Sequence, residues 1–137
     1  MNSRFAKTRI VMLLLSGSLL VLVGASILVS PVAFFAHNRI ELGANISLLN
    51  ELKAPAGLLL VAGLFMIATV FRRSQADVAL RLAALIYLSY ALTRGLSLMI
   101  DGMPASGLVQ AMALEGAIGL SCMLLVMFDR TLPEKVL

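Results

Sequence analysis

"IVMLLLSGSLLVLVGASILVS", residues 10–30, runs without a single charge and is closed by Pro31. A stretch of that length crosses the hydrocarbon of a bilayer, which takes about 17–25 residues of helix. Backbone N–H and C=O groups find no water there and pair only within the segment, so the run is read as an α-helix. A basic start followed by apolar residues also fits a secretory signal. However, the run exceeds the about 7–15 residues of a signal core, and no small-x-small cleavage site follows. It is read as a retained helix.

Three further runs share its character. "APAGLLLVAGLFMIATVF" covers 54–71 and stops at Arg72-Arg73; "LAALIYLSYALTRGLSLMI" covers 82–100; "GLVQAMALEGAIGLSCMLLVMF" covers 107–128. Of the 137 residues, 61% are hydrophobic and 13% charged, with a mean hydropathy of +1.01. Soluble domains average about 45–50% apolar and about 25% charged residues. The expectation is an all-α membrane protein: an antiparallel four-helix transmembrane bundle forming one integral membrane domain over 1–137.

The net charge of +4 is distributed as membrane topology. Arg4, Lys7 and Arg9 precede the first run; Arg72, Arg73 and Arg81 surround the gap between the second and third; Arg130 and Lys135 follow the fourth. Only Arg39 and Lys53 lie on the opposite side. Basic residues near helix ends mark the cytoplasmic side, so the bundle is expected N-in/C-in in a bacterial inner membrane, with both termini cytoplasmic. No basic patch is interleaved with aromatics, which argues against nucleic acid as a partner. The expected partner is the lipid bilayer.

The remaining punctuation is read residue by residue. Cys122 is the only cysteine, which excludes an internal disulfide and a cysteine-cluster metal site; inside a span it is read as a packing residue. His37 is lone and assigned to a loop. No nucleotide loop, His-Glu zinc pair or nucleophile elbow is present, and neither cofactor nor metal is expected. In "DGMPASG", Gly102 suits a helix C-cap, Pro104 blocks continuation and Ser106 is placed to cap the fourth helix. The 32–53 segment is assigned to the outer interface, with its part from Ser47 helical and running into the second span. Pro55 would then free the carbonyl of Glu51 and bend that helix. Gly17 and Gly24, with Ser18 and Ala25, form a small-residue packing face suited to a homo-oligomer.

The third run carries the chemistry. Tyr87, Tyr90, Arg94, Ser97 and Asp101 follow at spacings of three, four, three and four, which aligns them on one helix face. A basic side chain at a span's centre costs about 2.5–3.5 kcal/mol on insertion scales, so this stripe should face protein or water rather than lipid. Arg94 lies six residues inside Ile100, and Glu115 eight inside Gly107 on the next helix. At about 1.5 Å per residue those depths are about 9 Å and 12 Å, close enough for the two charges to meet. Ala111, Glu115, Gly119 and Cys122 share a face that is small apart from the acid, which favours close helix approach. Asn50, Glu51 and Lys53 stand at the outer end of the second span. The expected ligand-binding cluster is therefore Asn50, Glu51, Lys53, Tyr90, Arg94, Ser97, Asp101 and Glu115, with Gln110 beside it and Tyr87 packing below.

"NELKAPAG", "TRGLSLMIDGMP" and the glutamate of the fourth run together resemble a family of small bacterial four-helix membrane proteins, a domain of unknown function of the DUF4345 type. The likeness covers about residues 40–128. Its pattern implies a role for Asn50, Glu51, Lys53, Arg94, Ser97, Asp101, Gly102, Pro104 and Glu115, with Lys53 standing where the family usually has arginine. The resemblance implies no activity.

Three functions fit these residues. One is an outward-opening polar pocket that binds a small amphipathic ligand or substrate, with Arg94 holding an oxygen and a carboxylate available to exchange protons. That reading leaves open whether the protein is an enzyme. Another is a structural or accessory subunit whose buried charges only lock helix packing. A third is a small proton-coupled transporter, although the first helix lacks the membrane glutamate on which exporters of this size depend.

Overall fold

In the computed structural model, which describes residues 3–130, the chain is helical nearly throughout. α1 spans Ser3–Val29, α2 Pro31–Ala36, α3 Ile46–Thr69, α4 Ala76–Asp101 and α5 Ser106–Arg130. A single 3-10 turn at Arg73–Gln75 leads into α4. Four of these helices are long and apolar enough to cross a membrane by length and composition. Leu14, Leu22, Leu58, Val61, Leu85, Leu92 and Leu124 stand exposed on their outer faces. Water would not tolerate apolar surface on that scale, whereas lipid tails accept it at no cost. The chain has the architecture of a multi-pass helical membrane protein.

Local chemistry sets the helix ends. Pro31 takes the first position of α2, where its missing N–H is no loss. Asn45 caps α3, its side-chain oxygen accepting from the Leu48 amide at 3.1 Å. The second membrane helix therefore starts at Ile46, well before the apolar run at 54 and beside the helical start expected at Ser47, and continues through Pro55 as one element. α4 starts six residues before the expected 82, at Ala76. Its end is as expected: Gly102 supplies φ 94°, a left-handed value that a β-carbon disfavours. Ser106 is the first residue of α5 rather than the residue that precedes it.

The helices pack as two pairs. α1 lies chiefly against α3, and α4 chiefly against α5, with α1 and α3 both reaching α4. Gly17 and Gly24 both lie close against the backbone of α3, at Gly63 and at Ala56 and Leu60. Of the small-residue face expected to serve a homo-oligomer, the two glycines are thus taken up within the chain, while Ser18 stands exposed. Where the bilayer offers no hydrophobic drive between helices, close backbone packing supplies the attraction instead.

The core fills only one half of the bundle's length. Leu13 and Leu20, Leu59 and Met66, Ala79, Leu80 and Ala83, Ile118 and Cys122 interlock toward the end carrying the start of α1. Polar groups in this half are paired: Ser16 Oγ donates to the Met12 carbonyl at 2.7 Å, and Thr69 Oγ1 to that of Met66 at 2.7 Å. Tyr87 Oη donates to the Ser16 carbonyl at 2.8 Å and ties α4 to α1. At that same end the Arg9 guanidinium meets Asp77, which sits in the first turn of α4 where a helix favours negative charge. Toward α2 the core gives way to a cavity. Of the basic residues used to orient the chain, Lys135 lies outside the described residues.

Candidate functional site

Arg94 is carried by α4 about two turns before its end, and Glu115 by α5 between two and three turns after its start. The depth match seen in the sequence brings them into contact. Arg94 Nε donates to Glu115 Oε2 at 3.0 Å and to Oε1 at 3.3 Å. The glutamate side chain is 16% exposed and that of the arginine 33%. The guanidinium carbon also lies 6.0 Å from the centre of the Tyr90 ring, at the limit of a cation–π contact. Opposite charges in such surroundings offset much of the cost of leaving water.

The pair stands in the wall of a cavity of about 410 Å³. Every helix contributes to it. Leu19, Leu20, Val23 and Ile27 come from α1, Phe34 and Phe35 from α2, and Leu52, Pro55, Ala56 and Leu59 from α3. α4 adds Ile86, Tyr87, Tyr90 and Arg94, and α5 adds Leu108, Ala111, Leu114 and Glu115. Asn38 and Ile40, just after α2, complete the lining. An apolar chamber with a few convergent polar groups is the usual form of a small-molecule site. A second cavity of about 330 Å³ lies beside it between α4 and α5, and shares Tyr90, Arg94 and Leu108 with the first. Thr93, Ser97 and Pro104 are among its other walls.

Of the expected cluster, the structure gathers Tyr90, Arg94, Ser97 and Glu115 around these two cavities and leaves the rest outside. Asn50, Glu51 and Lys53 line neither. The reason is angular. Once α3 starts at Ile46, residues 52, 55, 56 and 59 form its inward face, and at about 100° per residue positions 51 and 53 flank that face on either side. Asp101 is exposed, and accepts a hydrogen bond from Ser97 Oγ at 2.7 Å one turn earlier on the same helix. Gln110 is exposed as well. The single polar cluster expected from the sequence is therefore two arrangements: an ion pair inside, and surface polar residues at the helix ends.

Sequence reasoning missed α2 and the Asn38–Ile40 turn behind it. Phe34 and Phe35 pack edge to face, with ring centres 5.4 Å apart, and both face the cavity. The Asn38 side chain comes so near α5 that a β-carbon on Gly107 would lie 2.5 Å from its oxygen. The signal was present in "PVAFFAHN": a proline that starts a helix, followed by an aromatic pair. It is too short for periodicity to reveal.

A bundle of membrane-length helices with a half-buried arginine–glutamate pair beside an apolar chamber defines a class, the small helical membrane proteins that carry intramembrane charge. Within it the chain belongs to the family described as Domain of unknown function (DUF4345), whose model matches residues 8–126. No curated protein and no solved structure matches it.

Proposed function

We propose that this protein is a single-domain, antiparallel four-helix bundle of the bacterial inner membrane that binds a small amphipathic molecule in the chamber beside Arg94 and Glu115. The observation that carries the reading is the placement of one ion pair in the wall of an otherwise apolar cavity. A bundle built only for rigidity would fill that volume with side chains, as its other half does. Among the candidates, Tyr90, Arg94, Ser97 and Glu115 are assigned to the ligand. Asn50, Glu51, Lys53 and Asp101 are assigned to the interface around the entrance.

Orientation rests on charge and register. Residue numbers rise along α1 as they fall along α3, from Gly17 beside Gly63 to Gly24 beside Ala56, which is the mark of an antiparallel pair. Eight basic residues stand on the side of the termini and two on the other. That bias supports cytoplasmic termini and a chamber that opens, beneath α2, toward the outer face.

Photolabelling in liposomes tests the reading. Dodecanol carrying a mid-chain diazirine is expected to label chamber residues such as Leu19, Leu59 and Ile86, and excess dodecanol should suppress that labelling. Labels confined to outward residues such as Leu58, Leu85 and Leu92 would refute an internal site.

A structural role has one observation in its favour, the direct contact between Arg94 and Glu115, which ties α4 to α5 whatever else it does. Under that reading the chamber stays unlabelled while loss of either charge loosens the helix pair.

A further inference from the structure

Arg94 spends only one of its nitrogens on Glu115. Both hydrogen bonds start from Nε, and among the described residues neither terminal nitrogen meets a protein acceptor. No enclosed side-chain nitrogen or oxygen in the described residues lacks a partner, so these two nitrogens open onto space rather than onto protein. Arg94 and Tyr90 also line both cavities, the apolar one and the smaller one that holds Thr93 and Ser97. The guanidinium therefore stands between an apolar chamber and a smaller, also largely apolar cavity whose wall carries the side chains of Thr93 and Ser97. An amphiphile's headgroup belongs at that charge.

Building on the amphiphile reading above, we infer that the two terminal nitrogens of Arg94 receive the headgroup of a single-chain carboxylate whose alkyl tail fills the chamber. Two parallel N–H groups in one plane match the two oxygens of a carboxylate. Glu115 fixes the guanidinium through Nε, and Tyr90 lies beside it. Arg94 and Glu115 together are neutral, so a monoanion adds one negative charge near the glutamate, whereas a phosphate monoester adds up to two and is repelled more strongly. A cationic headgroup would need Glu115, whose two oxygens already face Nε and whose side chain is the less exposed of the pair. The chamber's volume of about 410 Å³ lies near the small end of ligand pockets, about 300–1,000 Å³, which suits one chain rather than two.

The test uses the full-length protein in nanodiscs, titrated with four twelve-carbon probes and read by native mass spectrometry. These are dodecanoate, dodecanol, dodecyl phosphate and dodecyltrimethylammonium. Dodecanoate is expected to bind about ten- to a hundred-fold more tightly than dodecanol, the gain of a charge-assisted fork. Arg94→Gln should bring dodecanoate down to the level of dodecanol. Arg94→Lys keeps the charge and the fold but loses the planar fork, and should retain only part of the preference. Equal binding of dodecanoate and dodecanol to the unaltered protein would overturn the headgroup assignment while leaving the chamber's role intact. Tighter binding of the phosphate or of the ammonium would overturn the carboxylate assignment. Failure of all four probes to bind would remove the amphiphile reading itself.

Discussion

Gly17 and Gly63 meet backbone to backbone across α1 and α3. A β-carbon built on Gly17 would lie 2.8 Å from the Gly63 carbonyl oxygen, and one built on Gly63 would lie 2.5 Å from that of Gly17. The neighbours are main chain and cannot swing aside. Replacing either glycine with alanine should therefore push the helices apart at the centre of the solid half of the bundle. A loss of about 1–3 kcal/mol is expected, as for overpacked cores. Gly57 is the control, since a β-carbon there meets nothing within 4 Å. Thermal unfolding in detergent should show Gly63→Ala clearly destabilised and Gly57→Ala unchanged or slightly more stable.

Tyr87→Phe isolates a single hydrogen bond. The ring is 2% exposed, and only its hydroxyl reaches across to the Ser16 carbonyl. Since phenylalanine fills the same space, the expected cost is about 1 kcal/mol or somewhat less. A larger loss would mean that the hydroxyl does more than join α4 to α1.

Arg94 and Glu115 should behave as a coupled pair in a double-mutant cycle. With Arg94→Gln, Glu115→Gln and the double variant, a coupling of about 1–2 kcal/mol is expected, between the values for exposed and for buried pairs. The unfolding temperatures of the four proteins decide it. Coupling indistinguishable from zero would show that the contact contributes nothing to α4–α5 packing.

Sidedness can be read by cysteine labelling in intact cells. The native Cys122 is fully buried and should not react with a membrane-impermeant maleimide. His37→Cys, in the exposed segment after α2, should label from outside. Ser74→Cys, in the exposed turn before α4, should label only after the membrane is opened. The opposite pattern would reverse the proposed orientation.

Much of this architecture is legible in the residues, and the parts that are not share one cause. The four spans follow from run length, because a bilayer has a fixed thickness and its interior forbids unpaired backbone. The meeting of Arg94 and Glu115 follows from helical rise, which turns residue counts into depth. The stripe from Tyr87 to Arg94 follows from helical angle. Depth alone does not fix which side chains share a cavity: Asn50, Glu51 and Lys53 line neither one, because the continuous helix from Ile46 turns them off its inward face.

The amino-acid order alone determined how many helices are long and apolar enough to cross a bilayer, roughly where they lie, and which two charges within them share a level. Only the tertiary structure decided that Gly17 and Gly24 serve α3 rather than a second copy, that one half of the bundle is solid, and that the other half is hollow beneath α2. In water, hydrophobicity separates inside from outside. In a membrane both the lipid face and the protein face are apolar, so the face of a helix that meets a partner is settled by shape.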